Sequence, residues 1–474
     1  MPELPEVETV KNTLKPLMIN KTITMVEILY PKMILPSDLC FENDIINHKI
    51  TDIRRIGKYL LFILDNELVL ISHLRMEGKY ILLNEDEVTR RHSRVIFHFD
   101  DHSRISYDDS RCFGIMKLVK LKDLDKEEMI SKLGPEPMNI KDISQIKFKL
   151  QKSNLPIKIS IMDQSIISGL GNIYADEVLF ASKINPLTPS KQITDTQIND
   201  IISNAKKVLL KAIELGGSTV KSYHSARGVD GKFQNELLAY GKKDSLCPSC
   251  GYHFKKIYVG GRGTTYCPCC QKYHFQTAVV GIVGKIASGK STALSYFKYL
   301  GYDTISADEI VHNLYNEPNV IKSLSRYFKK AIIDGHIDKQ SLKDILIKDL
   351  DKKSRLEKII HPLVEEKIIE MLKNSQNVLT FIEVPLLFEA NLDYLCDFII
   401  GIDATNEMQV SFLKKRGCAD IDNYLKLNES NNFENYKEKL DYIVEPNENI
   451  EVFKTELHNV LNKILTKLQD KKLQ

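Results

Sequence analysis

The run Ala278-Val279-Val280-Gly281-Ile282-Val283 passes directly into Gly284-Lys285-Ile286-Ala287-Ser288-Gly289-Lys290-Ser291 and then into a helical pattern over 292–300. Few folds accept an unbroken apolar strand that ends in a glycine-bounded loop and opens a helix. The loop satisfies G-x4-G-K-S in the strand-then-helix setting that the motif requires. Backbone amides of residues 284–289 (Gly284, Lys285, Ile286, Ala287, Ser288, Gly289) would wrap the phosphates of ATP, Lys290 would neutralise them and Ser291 would ligand Mg²⁺. Residues 277–474 are therefore expected to form an α/β P-loop domain around a parallel sheet.

The 474-residue chain is long enough for two or three domains with separate cores. At 43% apolar and 27% charged, with no low-complexity tract, it is not expected to be disordered. No apolar run reaches bilayer length and no secretory leader is evident, so no membrane is expected among its partners. The net charge of +3 divides unevenly, about +6 before residue 277 and about −3 after it. A surplus that small is compatible with nucleic-acid binding without establishing it.

Nine cysteines without a targeting segment point to a reducing cytoplasm, where clustered thiols hold metal more often than they form disulfides. Cys247-Pro248-Ser249-Cys250 and Cys267-Pro268-Cys269-Cys270 give two C-x2-C knuckles with sixteen residues between them. Four such thiolates describe a closed, tetrahedral, structural zinc site with no open position for catalysis. One Zn²⁺ on Cys247, Cys250, Cys267 and Cys270 is expected, in a zinc-finger hairpin over 241–276, with Cys269 left over; a pair of disulfides is the competing reading.

Upstream, short runs rich in Ile, Val, Leu and Tyr at 22–30, 50–56, 59–64, 68–73, 79–83, 95–100 and 103–107 predict an antiparallel β-sandwich or barrel within 1–133. Asp101-His102 is expected as a tight hairpin. Leu133-Gly134-Pro135-Glu136-Pro137 is a turn-rich break, and 134–240 then reads as helical. Ser168-Gly169-Leu170-Gly171-Asn172 predicts a sharp helix–turn–helix. The amides at its second helix start would suit a phosphate oxygen; close helix packing is the other reading of its glycines.

The chain opens Met1-Pro2-Glu3-Leu4-Pro5-Glu6. With Met1 removed, Pro2 is a free secondary amine that can attack an electrophilic sugar carbon and form an iminium; with Met1 kept, that nitrogen is an amide without an available lone pair. Glu3 and Glu6 would lie within a residue or a helical turn of it, placed for proton transfer. Read structurally, the same residues stiffen and favour a helix start over 3–18. Met-Pro-Glu-Leu-Pro-Glu-Val-Glu-Thr-Val resembles the N-terminus of formamidopyrimidine-DNA glycosylases, which excise oxidised purines from DNA, and the resemblance runs through residue 276.

The resemblance implies a β-sandwich, a helix–two-turn–helix domain and a zinc finger acting on damaged double-stranded DNA. It casts Pro2 as the nucleophile and Glu3 as the proton-handling group. Lys58, in Arg54-Arg55-Ile56-Gly57-Lys58-Tyr59, would touch the DNA backbone and protonate the leaving oxygen in β-elimination. Arg262, in Gly260-Gly261-Arg262-Gly263-Thr264-Thr265, would bind phosphate and assist δ-elimination. Met76, Arg111 and Phe113, in two glycine-flanked loops, would fill the hole left by an extruded base. His92 would contact DNA, while Lys158 and Asn172, joined by Lys152, would grip phosphates. The glycine-rich stretch 215–233 would close over the extruded base.

Beyond the P-loop, Ser306-Ala307-Asp308, Ile359-Ile360-His361-Pro362 and Glu383-Val384-Pro385-Leu386-Leu387-Phe388-Glu389 resemble dephospho-CoA kinase. That resemblance implies ATP and dephospho-CoA as substrates, with Asp308 accepting the proton of the ribose 3′-hydroxyl. Arg355 and His361 would hold the substrate and Arg416 would act from a lid. Asp308 also reads as a helix N-cap. Glu383 and Ser306 stand where the family has Asp, and Lys426 and Ser430 where Arg and Gln are usual.

The expectation is thus a fusion of a glycosylase/AP lyase and a kinase, cytoplasmic and monomeric. Alternatives are an oxidised-pyrimidine glycosylase of the endonuclease VIII type or a non-catalytic damage binder, joined to another P-loop small-molecule kinase.

Overall fold

The computed structural model describes residues 2–84, 89–218, 232–333, 335–415, 417, 421 and 433–473. The chain divides into two compact units, Met1–Tyr273 and His274–Gln474.

The first unit begins with helix α1 (Leu4–Met18), whose N-cap is Glu3. Glu3 and Glu6 form a reciprocal capping box, and Pro5 in the first turn needs no amide partner there. Leu4, Val7, Val10, Leu14 and Met18 repeat at helical spacing and are all buried. Leu4 belongs to a helical core, whereas Val7 to Met18 belong to the core of a β-sandwich. One helix therefore spans both.

The sandwich has two antiparallel sheets. One pairs β1 (Ile23–Ile28), β6 (Ser93–Phe99), β7 (Arg104–Asp108) and β5 (Lys79–Leu83) in the order β1-β6-β7-β5. The other, ordered β2-β3-β4-β8, holds β2 (Ile50–Ile56), β3 (Tyr59–Leu64), β4 (Leu68–His73) and β8 (Ile115–Lys120). The sequence reading missed β8, a strand directly behind a loop. Strands β3 and β4 are nearly continuous apolar runs because both faces are covered. One meets the sandwich core, and the other meets Leu124 and Ile130 near the short helix α3 (Glu128–Ser131). A second short helix, α2 (Phe41–Ile45), packs its Phe41 and Ile45 into the sandwich.

Helices α4 (Ser144–Gln151), α5 (Ile157–Met162), α6 (Asn172–Ala181) and α7 (Asp195–Glu214) make the second core. Gly169 has φ +97°, and a side chain there would meet Leu4 at 2.5 Å. Strands β9 (Lys255–Val259) and β10 (Arg262–Tyr266) pair antiparallel as the expected hairpin.

In the second unit five parallel strands run in the order β12-β15-β11-β16-β17. They are β11 (Ala278–Gly284), β12 (Asp303–Ser306), β15 (Leu379–Glu383), β16 (Phe398–Ile402) and β17 (Tyr442–Val444); β13 (Ile332–Ile333) and β14 (His336–Ile337) form a separate two-strand ladder. Central β11 is buried along almost its whole length. Helix α8 (Lys290–Tyr299) and the last helix, Ile450–Leu473, cover the sheet through Ala293, Phe297, Phe453, Leu457 and Ile464. Helices α9 (Ala307–Leu314), α10 (Pro318–Leu324), α11 (Lys339–Lys348), α12 (Leu350–Asn374) and α13 (Asn406–Lys415) complete the unit. No helix among the described residues is long and apolar enough to cross a membrane.

Candidate active sites

Three distant segments meet at the start of α1. Pro2 is buried beside Glu3, which is 2% exposed. The Glu3 carboxylate accepts from the amides of Gly171 (2.6 Å), Ile173 (2.9 Å) and Tyr174 (3.4 Å). These are the free amides at the start of α6, so they hold a carboxylate of the chain itself and not, as the sequence suggested, a phosphate oxygen. A side chain at Gly171 would lie 2.4 Å from Glu3 Cδ, which is why glycine stands there. Burial nonetheless outweighs these bonds and the nearby Lys58, pushing the Glu3 carboxyl up to about 7.

Lys58 arrives from the β2–β3 hairpin, where Ile56 pairs with Tyr59 and leaves Gly57-Lys58 as the tip. Its ammonium is buried and donates to Leu170 O at 2.6 Å. Burial holds its pKa below the ordinary lysine range, against the pull of Glu3 and Glu6. An amine and a carboxyl thus lie within electrostatic reach of each other, each shifted towards neutral pH, which suits proton transfer. Glu6 ties the cluster together. It accepts from Glu3 N (2.8 Å), Tyr174 Oη (2.6 Å) and Ser218 N (2.8 Å), the last at the edge of the glycine-rich stretch. Residues 219–231 of that stretch lie outside the described residues.

The two segments that the resemblance casts as duplex-invading are present as loops. Met76 is 39% and Phe113 52% exposed, and the Arg111 guanidinium lies 4.8 Å from the centre of the Phe113 ring. Buried Asp109 organises the second loop by accepting from the amides of Arg111 (2.9 Å), Phe113 (2.9 Å) and Gly114 (2.7 Å). Sequence reading missed this residue, although an Asp two residues ahead of a turn is a recognisable signal. It also passed over His73, whose Nδ1 accepts from Arg75 N at 2.9 Å and whose ring packs edge-on against Tyr59. Burial, with Arg75 and Lys58 nearby, lowers the His73 pKa to about 3, so the ring is neutral and its Nε2 carries the proton. His92 is exposed, and the Lys152 ammonium lies over Phe148 at 3.7 Å.

Lys158 needs correction. It is fully buried in an ion pair with Asp176 (2.7 Å), and its ammonium also donates to Thr264 Oγ1 (2.7 Å) and Gly263 O (3.2 Å). With its charge paired and two of its protons bonded inside the fold, the ammonium is not directed outward to a phosphate. It instead fastens α5 and α6 to the hairpin, helped by Asn172 Nδ2, which donates to Gly263 O at 3.1 Å. Arg262 is exposed next to these anchors and close enough to lower the pKa of both Lys58 and Lys158.

The four sulfurs of Cys247, Cys250, Cys267 and Cys270 all lie within 4.8 Å of one another. Four thiols with no backbone or carboxylate ligand among them match a tetrahedral zinc site in number and softness. Bound there, zinc would supply cross-linking, and Cys269 packs to one side.

In the second unit Gly289 (φ 100°) caps α8, and Ala287 takes a left-handed φ of 61°. Lys290 donates to Gly284 O (3.0 Å) and Lys285 O (2.8 Å), curling over the loop, and Lys285 pairs with Glu434 at 3.3 Å. Ser288 Oγ is buried with no partner among the described residues, a donor left for an anion. Ser291 Oγ lies 3.2 Å from Glu383 Oε1 at the end of β15, a hydroxyl–carboxylate pair of the kind that holds Mg²⁺. Asp308 is exposed in the first turn of α9. The N-cap is Ser306, which accepts from Glu309 N, so the capping reading of Asp308 falls. Arg355 stacks on Tyr327 at 4.6 Å and His361 is exposed on α12. Arg416, Lys426 and Ser430 lie outside the described residues.

Against known families, residues 1–116 match the formamidopyrimidine-DNA glycosylase N-terminal domain and 133–224 its H2TH domain. Residues 245–272 match a zinc finger found in FPG and IleRS. The formamidopyrimidine-DNA glycosylase of Listeria monocytogenes is 41% identical over 275 residues, covering 57% of this chain and 100% of that one. That of Streptococcus pneumoniae is 44% identical over 273 residues, covering 57% and 99%. The chain belongs to the formamidopyrimidine-DNA glycosylase family. Among solved structures, the Lactococcus lactis glycosylase with Fapy-dG DNA is similar at 39% identity and TM-score 0.55, covering 57% of this chain and 100% of that one. The same protein with abasic-site DNA gives 39% and 0.54, with the same coverage. Residues 278–451 match the dephospho-CoA kinase family, so this glycosylase carries a kinase domain behind its zinc finger. Both units are enzymes.

Proposed function

We propose that the first unit is a DNA glycosylase/AP lyase for oxidised purines such as 8-oxoguanine and formamidopyrimidines, acting through a Schiff base on Pro2. The observation that carries it is the buried cluster of Pro2, Glu3 and Lys58. A free amine at Pro2 attacks C1′ and the base leaves. Glu3, poised at about 7, hands over the proton for base loss and sugar ring opening. Lys58 then serves β-elimination and Arg262 δ-elimination. Met76, Arg111 and Phe113 fill the stack, with His92, Lys152 and Asn172 at the backbone. The titration gives a sign: protonated Glu3 is lost above pH about 7, so single-turnover excision falls as pH rises through that value.

The second unit phosphorylates the 3′-hydroxyl of dephospho-CoA. Lys290 and the loop amides hold the ATP phosphates, Ser291 and Glu383 would hold Mg²⁺, and Asp308 takes the acceptor's proton. Bound Mg²⁺ would supply charge on the moving phosphoryl group.

Intact-mass spectrometry, borohydride trapping on an 8-oxoguanine duplex and ATP turnover with dephospho-CoA test this reading. The expected protein lacks Met1, binds one zinc and forms a trapped adduct that Pro2→Gly abolishes. Adduct formation by protein that retains Met1 would overturn the mechanism. Excision of thymine glycol in preference to 8-oxoguanine would favour the endonuclease VIII reading.

A further inference from the structure

Both duplex-invading loops close on one side chain. A methyl group added at Gly78 would lie 2.0 Å from Tyr107 Oη, and one added at Gly114 would lie 1.9 Å from it. Gly78 ends the loop that carries Met76, and Gly114 ends the loop that carries Arg111 and Phe113. The tyrosine stands between them on β7, fully buried and edge-on to Tyr80 at 5.1 Å. Its hydroxyl is sealed from solvent and bonds no described group. Burying a hydroxyl in that condition is costly, and a phenylalanine would avoid the cost. Burial, with Tyr80 and Asp109 nearby, raises its pKa well above the ordinary range, so it remains a proton donor.

The loops themselves hold two further unfavourable features. Arg75 (φ 54°) and Cys112 (φ 57°) are non-glycine residues in the left-handed region, one in each loop. An orphan donor and two strained backbones meet where Met76, Arg111 and Phe113 are mounted. An acceptor is close by. Leu74 O takes the Gly78 amide at 2.9 Å, keeps a second lone pair and faces the same side of Gly78 as the hydroxyl.

We propose that Tyr107 is a positioning residue for base extrusion: when the two loops shift into the duplex, its hydroxyl bonds their backbone and holds the three void-filling side chains in place. The inference rests on the repair reading above, since it assigns the loops the same task.

The test is Tyr107→Phe in the full chain, with 2-aminopurine beside an 8-oxoguanine to report unstacking. The variant is expected to melt no lower than wild type. Its 2-aminopurine signal and single-turnover excision should fall about tenfold, as the loss of one hydrogen bond implies, while borohydride trapping on a preformed single-stranded abasic site stays within about twofold. Gly114→Ala, which keeps the hydroxyl but pushes it aside, should lose the same signal. Equal extrusion and excision in wild type and Tyr107→Phe would overturn the inference alone, as would a lowered melting point with every activity reduced alike. A wild-type protein that traps no adduct would overturn it together with the repair reading.

Discussion

The two candidate catalytic centres of this chain are built in opposite ways. The phosphate cradle of the second unit is a single stretch, residues 284–291, shaped by one strand end and one helix start. The repair centre draws on residues 2–6, the tip at 57–58, and the turn at 169–174, which no local rule brings together. The cradle can be written into a sequence as a word. The repair centre exists only once two cores have formed around α1. This difference governs how each should fail.

The largest effect should come from removing one chemical group in each. Lys290→Ala is expected to lower kinase turnover at least about a thousandfold, leaving borohydride trapping untouched. Glu3→Gln should lower base excision by about two to four orders of magnitude while ATP turnover with dephospho-CoA stays as it was. Loss of both activities from either change would break the comparison, because it would mean that the two sites are energetically one.

A smaller effect separates contiguity from burial. Lys158→Met leaves Asp176 buried without its partner and should destabilise the first unit by about 3–5 kcal/mol, read from its denaturant midpoint. Adding Asp176→Leu should recover much of that loss, since both charges are then gone. No rescue would mean that the hairpin is held by other contacts. The smallest effect lies in the cradle. Ala287→Gly relaxes the left-handed residue and should change stability by under about 1 kcal/mol, with the ATP-dependent rate checking that the loop keeps its shape.

The same contrast decides what could be read in advance. G-x4-G-K-S and the cysteine quartet name their own geometry through spacing, and seven of the eight sandwich strands follow from their apolar runs. Strand β8 did not, because Ile115 to Lys120 directly continues a loop already assigned to DNA. Lys158 was misjudged for a deeper reason. A lysine in a sequence looks like a surface cation, and only the packing of α5, α6 and the hairpin reveals Asp176 as its partner. Glu3 was named, but its seat on the amides of α6 could not be, since residues 3 and 171 share nothing local.

Helix α1 sits like an axle in two bearings, with Leu4 in one core and Val7 to Met18 in the other. Tilting either body against its neighbour would drag Leu4 or Val7 into water, at about 1.5–3 kcal/mol for each side chain. The end of the axle that carries the proposed nucleophile is thereby kept on target, and whatever bending a lesion search demands has to be done by the DNA or by the loops around it.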